Sequence, residues 1–227
     1  MLSQAEKGGV QNTIQNCVTV LQNDPILADS IRLNLLSERI DIVKPMGWQR
    51  SGPTLTDTDM MYILRRMEKY GLYSEKRVSA AIRIVANENH YHPIRDYLNE
   101  LKWDGTARIS RALHRFLGAA EDELTTEALK IFLLGAIKRV FHPGCKFEMM
   151  LCLVGGQGTG KSSFFRLLAI KDEWFSDDLR RLDDDNVYRK LQGHWIMEMS
   201  EMIATANAKS IEEIKSFLSK QKETYKI

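Results

Sequence analysis

The run from Gly155 to Ser163, GGQGTGKSS, constrains this chain more than any other stretch. From Gly155 to Ser162 it fits G-x-x-x-x-G-K-[ST]. The apolar segment Met149 to Val154 precedes it and an amphipathic run follows, so the spacing predicts strand, turn and helix in that order. Glycines lack Cβ atoms, and successive backbone N–H groups can therefore curl around phosphate oxygens. A helix opening at Lys161 adds unpaired N–H groups and the positive end of its dipole. In this reading Gly155, Gly156, Gln157, Gly158, Thr159, Gly160 and Ser163 line the anion. Lys161 reaches the β- and γ-phosphates, and the Ser162 hydroxyl ligates Mg²⁺. The pattern predicts a nucleoside triphosphate site.

Composition excludes little but excludes it firmly. A chain of 227 residues with 44% hydrophobic and 27% charged residues is an ordinary globular sequence. A net charge of +2 does not by itself announce a nucleic-acid binder. No apolar run approaches the roughly 20 residues needed to span a bilayer, and MLSQAEKGG lacks the apolar core of a signal peptide. Membrane partners are not expected. Cys17, Cys145 and Cys152 are scattered and odd in number, which suits a reducing cytoplasm. His90-x-His92 and His142-x-x-Cys145 lack a second pair at zinc-finger spacing, so no structural zinc is expected.

Along the chain, helices are predicted after Asn12, from Thr56 to Gly71 with Thr56-x-x-Asp59 as a capping box, after Ser74, and from Pro93 to Leu101. Two more cover about Ala107 to Leu117 and Glu127 to Phe141. A strand is expected near Glu38 to Val43, where Ile40 and Ile42 alternate with polar residues. The pattern changes after His142-Pro143-Gly144. The expected organisation is a mainly helical region over 1–143 and an α/β P-loop core over 144–227. Within that core, Glu173 to Ser176 and His194 to Met197 read as strands, Asp183 to Asp185 as a helix start, and Ser210 to Glu213 as another capping box.

A phosphate loop needs a carboxylate to hold Mg²⁺ and a group to polarise the attacking water. In sheet-based nucleotide-binding domains such groups stand where a buried strand emerges beside the loop. Glu198 directly follows the apolar Trp195-Ile196-Met197 and takes the magnesium role. Glu201 is the candidate general base or an additional contact to the metal shell. With Lys161 these form the expected catalytic set, and ATP and Mg²⁺ are the expected cofactors.

The segments FHPGCKFEMMLCLVGGQGTGKSSFFRLLA, WFSDDL, LQGHWIMEMSEM and IKSFLSKQKETY together resemble the virulence-associated protein E family. YHPIRDYLNELKWDGTARI resembles its upstream segment, so the similarity covers most of residues 25–227. The phosphate loop is generic; its combination with Glu-Met-Ser-Glu and Lys-Ser-Phe-Leu-Ser is more specific. The resemblance implies an ATPase of the additional-strand class, related to superfamily 3 helicases, usually ring-forming, and acting in replication of a phage or mobile element. It also implies a further strand with a sensor asparagine, and arginines that act on a neighbour's ATP. After Lys220 only QKETYKI remains, so an incomplete core of about three strands rather than about five is expected. Mg-ATP binding with slow or absent turnover follows, because such arginines stabilise the transferring phosphoryl group.

Partners are less legible. Arg108, Arg111, His114 and Arg115 fall on nearly one face of a predicted helix, as do Arg65, Arg66 and Lys69 on another. Lys209, Lys215, Lys220, Lys222 and Lys226 make the C-terminal end basic. Such stripes suit single-stranded or origin DNA, or else are solvated faces balanced by nearby Glu. Trp48, Tyr91 and Trp103 are candidates for base stacking. An incomplete parallel sheet would leave an open edge for a homo-oligomer or a full-length relative. Two readings result: a helicase-like replication ATPase, or a non-motor nucleotide- or partner-binding regulator or decoy. A small-molecule kinase fits less well, because its substrate and lid segments would have to fit in the short remainder.

Overall fold

The structure, a computed structural model, describes residues 2–4, 8–179, 187–200 and 208–219. It is mixed α and β, with helices and two small two-stranded sheets. The chain divides into two compact units, residues 1–96 and 97–227. The division falls inside a helix, α4 (Pro93–Glu100). The change of pattern near Pro143 therefore lies within the second unit.

In the first unit, α1 (Ile14–Asn23) packs on α3 (Glu75–Glu88), and α3 packs on β1 (Ile31–Asn34). β1 pairs antiparallel with β2 (Arg39–Ile42), Ile31 opposite Ile42. The sequence reading found β2 and missed β1. Cys17, Leu21, Leu27, Ile31, Ile63 and Ile82 are among the fully enclosed core residues. Thr13, not Asn12, caps α1, its hydroxyl accepting from Asn16 N. The capping box at Thr56 and Asp59 opens α2 (Asp57–Met67) as expected, whereas Ser74 sits at the N-cap of α3 without a side-chain bond.

Two buried carboxylates organise this unit. Asp24 accepts from Arg66 Nε, from Tyr70 OH at 2.6 Å, and from the N–H groups of Ile26 and Leu27. Burial alone would raise its pKa, but these donors more than offset that and hold it down at about 2. Asp59 accepts from Trp48 Nε1 at 2.7 Å, Arg50 Nε at 2.8 Å and Thr56 N at 2.9 Å. Burial opposes its ionisation too, and Arg50, Trp48 and Thr56 keep it well below the usual carboxylate range.

In the second unit, α5 (Ile109–Leu117) packs on α6 (Glu123–Phe141). α6 begins a turn earlier than the periodicity predicts, because the Asp122 side chain caps it by accepting from Thr125 N. Leu113, Leu129 and Phe164 form the buried centre, with Leu151 and Leu153 packed against it. The expected strand Met149 to Val154 is corrected here. These residues pair with neither sheet, although their exposure alternates as in a strand. Leu151 and Leu153 are half-buried while Cys152 and Val154 are exposed. The side chains obey the two-residue period, but no described strand lies alongside to supply a ladder.

Phe147 lies against Gly135 of α6. A Cβ added at Gly135 would stand 2.1 Å from the Phe147 ring. Gly135→Ala therefore sets a gain of about 1 kcal/mol in helix propensity against overpacking of about 1–3 kcal/mol. In denaturant melts it is expected to be neutral to destabilising in the native sequence. In a Phe147→Ala background it is expected to become stabilising.

Candidate nucleotide site

Two short segments make the site. α7 (Lys161–Leu168) follows the glycine loop, and β3 (Phe175–Ser176) pairs in parallel with β4 (Ile196–Met197). Gly158 and Gly160 have φ of +80° and +84°, which a Cβ would strain. Gly160 caps α7 without a side chain, and the first bond of the helix runs from Phe164 N to Gly160 O at 2.9 Å. The N–H groups of Lys161, Ser162 and Ser163 thus precede the helical ladder, where a helix favours an anion.

The Lys161 ammonium folds back onto its own loop. It donates to Gly155 O at 2.9 Å, Gly156 O at 2.7 Å and Thr159 Oγ1 at 3.2 Å, using its three protons. Thr159 Oγ1 in turn donates to Gly156 O. Gln157, Ser162 and Ser163 are exposed.

β4 delivers the opposing carboxylate. Trp195 N donates to Trp174 O, and Glu198 N donates to Ser176 O, both at 2.8 Å, so the ladder continues one residue past the strand. Trp195 Nε1 also donates to Ala136 O of α6, tying the strand entrance to the helix behind it. Glu198 Oε1 then accepts from Ser162 Oγ at 2.7 Å across 36 residues of sequence. Ser200 Oγ reaches the same oxygen at 3.3 Å. Glu198 Oε2 is buried and has no hydrogen-bond partner among the described residues.

Of the residues expected to act, the structure brings Ser162 and Glu198 into contact and gathers Lys161, Gly155, Gly156 and Thr159 around one ammonium. Glu201 lies outside the described residues, as do Asp183 to Asp185, Lys220, Lys222 and Lys226. Ser200 was not singled out from sequence; its one signal was its position two residues after Glu198. A hydroxyl, a carboxylate and a backbone loop are hard oxygen donors and phosphate-binding N–H groups, which fit magnesium and a polyphosphate. Among the described residues no cluster of three His, Cys, Asp or Glu could hold a metal unaided.

Some members of the basic stripes have acidic partners. Arg66 is committed to buried Asp24, Arg108 forms a two-pronged pair with Asp104 at 2.8 and 2.6 Å, and Arg111 lies 3.4 Å from Glu121. No described helix is long and apolar enough to cross a membrane.

No curated protein matches the chain. Residues 98–227, which carry the loop, its helix and Glu198, match the model of the virulence-associated protein E-like domain. That match spans more than half of the sequence, and the protein belongs to this family.

Proposed function

We propose that this chain carries the Mg-ATP-binding part of a P-loop NTPase, within a helicase-like replication protein of a phage or genomic island. The Ser162–Glu198 hydrogen bond carries the reading. It joins the hydroxyl that ends the glycine-lysine-serine motif to a carboxylate at a strand end, whose second oxygen is buried without a partner among the described residues. Family membership supports the replication setting. The loop N–H groups and Lys161 would hold the phosphates, and Ser162 with Glu198 would hold the ion. Magnesium, when bound there, neutralises charge on the phosphate oxygens. Turnover needs further cationic stabilisation of the transferring group. Binding is therefore the property proposed.

The test is equilibrium binding of a fluorescent ATP analogue with Mg²⁺, displaced by unlabelled ATP. Saturable, displaceable binding is expected; a folded chain that binds neither would overturn the proposal. A second reading, a non-motor regulator that associates with another protein of its family, is favoured by the alternating segment Met149 to Val154, which pairs with no strand among the described residues. DNA-stimulated ATP turnover would separate the readings, since only the motor requires it.

A further inference from the structure

We propose that the turn at Trp103 and the outer face of α5 form a binding surface for single-stranded nucleic acid, with Trp103 as a base-stacking platform. Trp103 is 81% exposed, an unusual position for the largest apolar side chain. The turn that carries it is fixed from within. Asp104 Oδ1 accepts from Thr106 N at 3.0 Å, Asp104 binds Arg108 with both oxygens, and Trp103 Nε1 donates to Thr106 O at 3.4 Å. The ring is thus held in solvent by polar bonds at its base, so little conformational entropy remains to be lost when a flat partner covers it.

The charge beside it selects the partner. Lys102, Arg108, Arg111 and Arg115 stand here against the carboxylates of Asp104 and Glu121, a net +2 on one short stretch of surface. At about 100° per residue, Arg108, Arg111 and Arg115 lie within roughly 60° of one another, nearly opposite Leu113. Leu113 is the residue of α5 that is buried in the core. The cations therefore run along the face turned away from the packing. Arg111 meets Glu121 at 3.4 Å, and His114 stands 4.0 Å from the same carboxylate. These groups are at least half exposed, so the pairing is screened and readily exchanged for a phosphate. At the far end Phe116 is 65% exposed, with the Arg115 guanidinium 5.6 Å from its ring centre.

An exposed, fixed aromatic ring beside a cationic row suits a strand whose base faces are free and whose phosphates follow the row. A duplex hides those faces, and a purely acidic chain such as polyglutamate has no flat ring for Trp103. The surface is independent of the nucleotide site, so either proposal can fail without the other.

Anisotropy of a fluorescein-labelled oligo(dT) tests it on the intact chain, from low salt to about 0.2 M. Trp103→Ala is expected to weaken binding ten-fold or more at unchanged salt dependence, and Trp103→Phe to restore most of it. Replacing Arg111 and Arg115 by Ala together is expected to lower the slope of log K against log salt by about 1.4. Trp103 lies outside the described core, and far-UV circular dichroism of the variant checks its fold. No binding by the native chain, equal binding by Trp103→Ala, or displacement by polyglutamate as effective as by oligo(dT) would each overturn the proposal.

Discussion

Asp24→Ala is expected to cost the N-terminal unit about 3 kcal/mol, the low end of what breaking a buried ion pair costs. The mutation removes the acceptor of four donors at once. It leaves Arg66 and the N–H groups of Ile26 and Leu27 unanswered in a largely dry site. For a unit of this size that corresponds to a fall in Tm of roughly 10–20 °C. Hydrogen exchange of peptides from α1 and α3, followed in mild denaturant, reads the unit directly. The exposed pair of Asp29 with Lys44 is the internal control: Asp29→Asn, which keeps a residue suited to the positive φ of that position, should cost less than about 0.5 kcal/mol. Equal exchange in the two variants would refute the role given to Asp24.

The same carboxylate sets a pH dependence. Its folded pKa of about 2 lies below the ordinary 3.8, so the folded state binds fewer protons than the unfolded state in that range. The stabilisation is complete above about pH 5 and is lost as pH falls toward 2. It amounts to roughly 2 kcal/mol. Asp59 acts in the same direction. Acid unfolding of the unit should therefore be shallower in Asp24→Ala than in the native chain.

These carboxylates also explain what was legible in the sequence. Thr56-x-x-Asp59 was readable because a capping box is local: both partners lie within one turn. Asp24 with Arg66 was not, because 42 residues separate them and nothing in either neighbourhood announces the other. Arg66 therefore looked like one more member of a solvent-facing stripe. β1 escaped for a related reason. Ile31-Arg32-Leu33-Asn34 is only four residues long, and its strand character comes from pairing with β2. The opposite error occurred at Met149 to Val154, where the apolar pattern satisfies a strand but a ladder needs a neighbour that the pattern does not contain. The loop fared best, since φ at Gly158 and Gly160 and the start of α7 are set within a few residues. The distance between Ser162 and Glu198 lay beyond sequence; only their suitability for one ion was visible.

Two substitutions at the site, one in the loop and one at the strand end, separate a nucleotide site from an accident of packing. Lys161→Ala removes an ammonium that now spends its protons on the loop and that in the proposed complex donates to phosphate oxygens. Hydrogen bonds between charged groups are worth about 1.5–3 kcal/mol each, so a loss of one to two of them predicts about 100-fold weaker binding of the ATP analogue, with or without Mg²⁺. Glu198→Gln should behave differently. Gln retains an acceptor for Ser162 Oγ but no charge for the ion, so metal-free binding should persist while the apparent magnesium affinity falls roughly ten-fold or more. Stability supplies the second readout. A carboxylate oxygen buried without a partner among the described residues costs free energy, and an amide there carries no charge to desolvate. Glu198→Gln should leave Tm unchanged or raise it. A variant that instead melts well below the native chain, with its magnesium dependence intact, would make Glu198 a packing residue and remove the main support for the nucleotide reading.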